Sequence, residues 1–466
     1  MKRRNFLQSI SYSSLALGIL STYPKNTFAK EKYENSIMVK TKRFGDGRDW
    51  FFEKRFGLFI HWGVYSVAGW HEQHMYRRSL SRAEYTPLMR EFNPVKFNPD
   101  TWLDLAEQAG MKYITFTTKH VDGFCMWDTK QTNFKVTCTP YAKDTLAMLA
   151  EACHRRKFPL CLYYSLADMH QPNYPNAGRS YELQAPEPGD QPDLARYIAF
   201  VKAQVKELCT NYGTIHGFWW DANVIKHHDP SINTLIRRLQ PNAVINNRGC
   251  DDGDFGTPER DYQNDENISF ERPTEACQAV GMESWGYRKN EDYYNDRHLI
   301  RSIDKYLARD ANYLLNVGPD PLGVIPEQSR QILKNVGKWY KSVRESLEQV
   351  EPASTLTSNK NVMLTKMGKT LYIHLNKDPE GNVVKLRPFT VAPQSAVLLN
   401  TGQKVAFELE FAPQDHLVKQ SYLRLINLPT NELCNSVLVI KLDFDRPPEE
   451  YVPSVSKPEE IKDAQK

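Results

Sequence analysis

The sequence predicts an α/β protein: a (β/α)8-type, TIM-like barrel over residues 34–345, followed by a C-terminal antiparallel β-sandwich over 350–447. Three observations lead there. Short β-rich runs alternate with amphipathic helical stretches through most of the chain, the pattern of a parallel sheet. No glycine-rich dinucleotide turn follows the first strand, which leaves the doubly wound open sheet as the weaker description. Near residue 350 helical periodicity gives way to strands punctuated by turns.

The elements follow in chain order. Helical TWLDLAEQAG (101–110) precedes the strand Lys112-Tyr113-Ile114-Thr115-Phe116-Thr117. Helical DTLAMLAEACHRRK (144–157) precedes Leu160-Cys161-Leu162-Tyr163-Tyr164-Ser165. The long pattern DLARYIAFVKAQVKELCTNYG (193–213) leads into Gly217-Phe218-Trp219-Trp220-Asp221, and SINTLIRRLQ (231–240) into Ala243-Val244-Ile245-Asn246-Asn247. HLIRSIDKYLARDAN (298–312) closes the series at Tyr313-Leu314-Leu315-Asn316-Val317. Beyond 350, the runs 361–364, 370–375 and 436–440 are separated by turns such as Pro379-Glu380-Gly381-Asn382. The Pro-, Glu-, Lys- and Ser-rich tail, 448–466, reads as loose.

Composition bounds the function. With 41% hydrophobic and 25% charged residues the chain is an ordinary globular one. A net charge of +4 is too weak for a nucleic-acid footprint. Eight cysteines show no CxxC pair and no metal-like spacing, so neither a zinc site nor another cofactor is expected. Residues 1–29 read as a twin-arginine-like export signal: Met1-Lys2-Arg3-Arg4, a short apolar stretch from Ile10 to Leu20, and a cleavage site at Thr27-Phe28-Ala29. That stretch is too short to span a bilayer, so the mature protein is expected in the periplasm or outside the cell, with no stable membrane span.

Barrel active sites form at the C-terminal ends of the strands. Those ends carry His61-Trp62-Gly63, Lys119-His120, Tyr164-Ser165, Trp219-Trp220-Asp221, Asn247-Arg248 and Trp285-Gly286-Tyr287. Aromatics suit the apolar faces of a sugar ring, while His, Arg and Asn suit its hydroxyls. Asp221 stands out, because a carboxylate closing a strand after two tryptophans is costly to bury unpaired. A retaining glycosidase needs a second carboxyl nearby. Glu259 and Glu275, both read as lying on loops, are the candidates, and spacing does not choose between them.

These residues sit in segments that resemble the α-L-fucosidases of glycoside hydrolase family 29: RFGLFIHWGVYSV (55–67), FNPVKFNPDTWLDLAEQAGMKYITFTTKHVDGFCMWDTKQTNF (92–134), LYYSLADMH (162–170), GFWWD (217–221), GDFGTPE (253–259), ESWGY (283–287) and YLLNVGP (313–319). The resemblance implies a retaining exo-α-L-fucosidase acting on fucosylated oligosaccharides or glycoconjugates. It gives Asp221 the role of nucleophile. The acid/base matches Glu259 in one branch of the family and Glu275 in another; Glu259 is preferred and both are kept. A desolvated setting that raises the acid's pKa is expected. His61, His120, Tyr164, Trp219 and Arg248 match sugar-contacting positions, and Trp285 joins them as a lining residue.

The chain departs from the family pattern at Val121, where many members carry a second His, and at Thr274, where a Trp usually precedes the Glu. His74-Met75-Tyr76 replaces an acidic-Trp-Tyr stretch, and Ala222 replaces a Gly after the nucleophile. Two other readings stand beside the fucosidase: a carbohydrate-binding protein of the same fold without turnover, and an α-L-glycosidase of different sugar specificity.

Overall fold

In the computed structural model, residues 41–259, 270, 272–411 and 421–451 are described. The expected export signal, 1–29, and the end of the tail lie outside them.

Seven strands, β1 (Phe56–Ile60), β2 (Ile114–Lys119), β3 (Leu160–Ser165), β4 (Gly217–Asp221), β5 (Val244–Ile245), β6 (Glu275–Ala279) and β7 (Asn312–Val317), pair in the order β5-β4-β3-β2-β1-β7-β6. Every pairing is parallel. Their residues are buried throughout, save the half-buried Asp221 at the end of β4. That is why strands such as β1, β3 and β4 read as nearly continuous apolar runs rather than as alternating ones. Helices Pro99–Gln108, Thr145–Arg155, Leu194–Asn211, Pro230–Leu239 and Asp296–Leu307 precede β2, β3, β4, β5 and β7. Each begins after an Asn or Asp (Asn98, Asp144, Asp193, Asp229, Asn295) whose side chain accepts a first-turn amide N–H. Such a cap contributes about 1 kcal/mol and marks the helix start in the sequence.

The sheet curls around an inner cluster. Phe59, Cys161, Tyr163, Trp219, Val244, Cys277 and Leu314 point inward from β1, β3, β4, β5, β6 and β7 and pack with Tyr113 and Phe255. The alternate residues, among them Leu58, Ile60, Tyr164 and Trp220, join a larger cluster with the helices. The structure departs from eight regular strands between β5 and β6. There the segment 255–259 makes only isolated parallel bridges: Phe255 with Asn246, Gly256 with Thr274, and Glu259 with Cys277. Pro258 has no N–H to donate, so this segment cannot complete a regular ladder. Glu275, expected on a loop, opens β6.

The C-terminal part holds two antiparallel sheets. One has the order β13-β12-β16-β10-β9-β8, with β8 Glu351–Pro352, β9 Met363–Met367, β10 Thr370–Leu375, β12 Ser395–Leu398, β13 Gln403–Lys404 and β16 Leu438–Asp443. The other is β11 (Val384–Leu386), β15 (Ser421–Ile426) and β14 (Ala406–Phe411). Alternation along β10 divides its contacts. Leu371, Ile373 and Leu375 share a cluster with Leu386, Leu423 and Leu425 of the smaller sheet. Tyr372 and His374 face residues that flank the parallel sheet: His374 Nδ1 lies 2.6 Å from Asp304 Oδ1, and Tyr372 OH donates to Glu345 at 3.2 Å. Residues 448–451, assigned to a loose tail from the sequence, form a short turn, and Tyr451 is buried in the same cluster because its ring completes the apolar layer.

Candidate active site

Alternation also decides which aromatic residues reach the upper end of the sheet. On β4, Trp219 turns inward and Trp220 outward, where its indole N–H donates to Asn233 Oδ1 at 3.0 Å. On β3 the inward residue is Tyr163. Its neighbour Tyr164, expected to line the sugar, is fully buried on the helix side: its hydroxyl donates to Gln204 Oε1 at 2.6 Å, and Lys119 Nζ sits 4.3 Å from its ring centroid. The place in the cleft is instead taken by Tyr163, one residue earlier and on the other face of the strand. A register shift between Thr117 and Lys119 bulges β2 just before His120. It buries the Lys119 ammonium on Asp168, 2.8 Å away, while the next residue, His120, lines the cleft.

Asp221 closes β4 with both oxygens held. Tyr163 OH donates to Oδ2 at 2.8 Å and Arg248 Nη1 to Oδ1 at 3.1 Å. The same Nη1 donates to Glu259 Oε2 at 2.9 Å. Sharing one nitrogen, at 3.1 and 2.9 Å, the two carboxylate oxygens lie no more than about 6 Å apart. Arg248 is itself anchored: Nε donates to Thr257 Oγ1 at 2.7 Å and Nη2 to Thr257 O at 2.8 Å, and its guanidinium lies over the Trp219 ring at 4.6 Å. Burial opposes its charge, but Asp221, Cys277 and Glu259 around it raise its pKa above the ordinary value. It stays a cation at any working pH. The Asp221 and Glu259 side chains are 29% and 39% exposed, which leaves both open to an incoming ligand.

Two imidazoles form the opposite wall. Asn316 Nδ2 donates to Trp285 O at 2.7 Å, so its Oδ1 accepts from His61 Nδ1–H at 2.7 Å. That tautomer leaves His61 Nε2 as an acceptor for a hydroxyl. Burial pushes His61 down to about 4 and lowers His120 as well, so both are neutral above mildly acidic pH. His120 stacks on Tyr163 at 5.7 Å, and its Nδ1 has no hydrogen-bond partner among the described residues.

Glu72 enters the cleft between them. Its Oε2 accepts from Ser284 Oγ at 2.7 Å, Trp285 N at 2.9 Å and Gly286 N at 3.2 Å. Burial works against its charge, yet His71 at 3.3 Å, His120, His61 and the Ser284 hydroxyl outweigh it, so the carboxyl lies below the ordinary range. The chain turns here on glycines: a Cβ on Gly318 would come within 2.3 Å of the Gly286 backbone. Trp285, 5.4 Å from His61 ring to ring, closes that side.

Glu275 lies elsewhere. It opens β6 at the N-terminal end of the sheet, 2% exposed, at the N–H edge of the Trp219 indole. Tyr113 OH donates to its Oε2 at 2.5 Å and Trp219 Nε1 to its Oε1 at 3.1 Å. Burial raises it to about 7, and the two hydrogen bonds only partly offset that. Proton affinity alone would choose Glu275 as the acid, but it does not line the cleft, and the indole of Trp219 stands above it. Geometry places Glu259 beside Asp221.

The cleft, with the space that opens to solvent, spans about 510 Å³. Of the sequence-derived candidates it brings together Asp221, Glu259, Arg248, His61, His120, Trp219 and Trp285, and leaves Tyr164 and Glu275 outside. Tyr163, Glu72, Phe59 and Tyr181 line it unforeseen. Strand alternation was the available signal for Tyr163; for Glu72 the sequence carries none beyond its place in the short run HEQH (71–74). Among the described residues no cluster of three or more His, Cys, Asp or Glu could hold a metal, and no helix is long and apolar enough to cross a membrane. Ala222, in the position after Asp221, has φ +51°, the left-handed region that favours glycine.

A carboxylate pair shared by one arginine, in a cleft of neutral imidazoles and aromatic rings at the C-terminal end of a parallel sheet, belongs to the glycoside hydrolases. Comparison with known proteins narrows this. Residues 21–345 match the family described as alpha-L-fucosidase. The tissue alpha-L-fucosidase of Bos taurus is 25% identical over 417 residues, covering 82% of this chain and 86% of the bovine one. The structure of alpha-L-fucosidase isoenzyme 1 from Paenibacillus thiaminolyticus superposes with a TM-score of 0.75 at 30% identity, covering 85% of this chain and 99% of that one. The alpha-L-fucosidase of Vibrio sp. strain EJY3 gives 0.76 at 25% identity, over 86% and 73%. The chain belongs to the α-L-fucosidase family, glycoside hydrolase family 29, and is a glycoside hydrolase of that kind.

Proposed function

We propose that the protein is an exported, retaining exo-α-L-fucosidase that removes terminal α-L-fucosyl residues from oligosaccharides or glycoconjugates through a covalent glycosyl-enzyme. The observation that carries this reading is the single Arg248 nitrogen between Asp221 and Glu259. A separation of at most about 6 Å is close to the ~5–5.5 Å of retaining pairs and leaves too little room for the intervening water of an inverting pair at ~6.5–9.5 Å.

In the first step an Asp221 oxygen attacks the anomeric carbon as its bond to the aglycone oxygen breaks, and Glu259 passes a proton to that oxygen. A β-fucosyl ester of Asp221 results. In the second, Glu259 as carboxylate takes a proton from water, the water oxygen attacks the anomeric carbon, and Asp221 departs. Arg248 and Tyr163 keep the Asp221 carboxylate facing the sugar throughout, which lowers the cost of orientation. His61 Nε2 and His120 Nδ1 meet ring hydroxyls, and Phe59, Val121 and Trp219 meet the apolar ring face and the methyl group.

In this reading the segment 255–259 serves as the eighth position of the barrel, carrying Glu259 to the rim, and the two C-terminal sheets form a sandwich that buttresses it. Export rests on the arginine pair and apolar stretch of residues 1–29.

The test is Asp221→Gly with 4-nitrophenyl α-L-fucoside and azide. Rescue should yield β-L-fucosyl azide, while Glu259→Gly with azide should yield the α-azide. An α-azide from the Asp221 variant, or turnover by that variant without azide, would refute the assignment.

A further inference from the structure

We infer that Glu275 is a positioning residue for the reaction at the opposite end of the sheet: by accepting the indole N–H of Trp219 it fixes the ring on which Arg248 and Tyr163 rest, and through them the carboxylates of Asp221 and Glu259. The inference rests on reading those two carboxylates as the reacting pair.

A buried carboxylate with no cation beside it is expensive, and a neutral acceptor could satisfy an indole N–H at lower cost. Among the described residues Glu275 has no such cation: Tyr113, Trp219, Cys161 and Cys277 lie around it. What it adds is a pair of directed hydrogen bonds, one from each flanking aromatic, which become charge-assisted when it ionises. The indole so held is the central member of a contact chain. Tyr163 lies parallel to it, with centroids 5.6 Å apart and planes 18° from each other. Arg248 lies on it at 4.6 Å. Tyr163 grips one oxygen of Asp221, and Arg248 grips the other together with Glu259. Rotation of the Trp219 ring would therefore disturb both grips on Asp221 at once. When ionised, Glu275 also deepens the negative face of the ring beneath the guanidinium, strengthening the cation–π contact. Glu275 reaches no part of the cleft itself, so it can affect turnover only through this chain.

The test compares Glu275→Gln, Glu275→Met and Glu259→Gln on 4-nitrophenyl α-L-fucoside, with rates expressed per folded molecule from near-UV circular dichroism. Glu275→Met should lower kcat about 100-fold while KM moves less than about threefold, since a displacement of ~1 Å at the reacting groups has that effect. Glu275→Gln keeps an oxygen for the indole and should recover to within about fivefold of the parent. Neither variant should be rescued by azide. Should Glu275→Met not fold, Trp219→Phe removes the same N–H from the other side and should lower kcat by a similar factor.

Unchanged kcat per folded molecule in Glu275→Met or, failing that variant, in Trp219→Phe, overturns the inference. So does a Glu275→Gln variant as slow as Glu275→Met whose turnover azide restores with release of α-azide, because Glu275 would then be the acid/base. Silence of the parent protein, or full activity of Asp221→Asn, would instead strike the reading of the reacting pair.

Discussion

The two ends of the parallel sheet use the same residue type in opposite ways. At the C-terminal end, Asp221 and Glu259 share one arginine and stand partly open to solvent. At the N-terminal end, Glu275 is 2% exposed, with phenol and indole donors and, among the described residues, no cation. Burial raises the pKa of Glu275 to about 7, the property expected of a general acid, yet it cannot meet a substrate. A titration shift marks a carboxylate whose charge has become costly. Only position on the sheet shows whether that charge is used for chemistry or for holding a ring.

The sharpest way to break this contrast is at the open end. Asp221→Asn keeps the shape and removes the proposed nucleophile, and should lower kcat on the nitrophenyl fucoside on the order of 10⁴-fold. A small effect would move the chemistry away from β4.

Next is Arg248→Lys, which preserves charge but cannot bond Thr257, Asp221 and Glu259 from one planar group. Its kcat/KM should fall roughly 30-fold, about 2 kcal/mol. If lysine serves equally well, geometry at the rim matters less than charge.

At the buried end the readout is stability against pH. The folded-state pKa of Glu275 is raised from 4.5 to about 7, so its stabilising share is complete below about 4.5 and is lost as pH rises through about 7. Glu275→Gln has no such loss. Relative to the parent it should gain on the order of 3 kcal/mol between pH 5 and pH 8, read from urea unfolding. An equal gap at both pH values would mean that Glu275 keeps its proton or is better solvated than its surroundings imply.

The smallest test separates neighbours. Tyr163→Phe removes a donor to Asp221 and should lower kcat about tenfold with little change in Tm. Tyr164→Phe removes a buried donor to Gln204 and should cost about 1 kcal/mol of stability while leaving kcat unchanged. The reverse pattern would exchange the two faces of β3.

Much of the fold was legible along the chain. β3 and β4 lie on the residues their apolar runs indicated, because parallel strands covered on both sides are continuously apolar. The helices fall within the amphipathic stretches, and their starts are fixed by Asp and Asn caps that act through adjacent backbone amides. β6 was missed: Glu275, Cys277 and Gln278 interrupt its apolar pattern, and nothing local tells that Tyr113 and Trp219 will satisfy the carboxylate. The loop expected around Glu259 is a weakly bridged segment for the same kind of reason, since its bridges go to partners that Pro258 and Gly256 do not advertise.

What the sequence determined by itself was the alternation of strands and helices, the chemical inventory at the strand ends, and the family resemblance with Asp221 at its centre. These depend on side-chain type and short-range order. The tertiary structure decided which face each strand-end residue occupies, so that Tyr163 and not Tyr164 meets the cleft. It also decided which glutamate stands beside Asp221. Both are set by how strands register around a curled sheet, and proximity between residues 38 positions apart, as Asp221 and Glu259 are, depends on packing that no local pattern encodes.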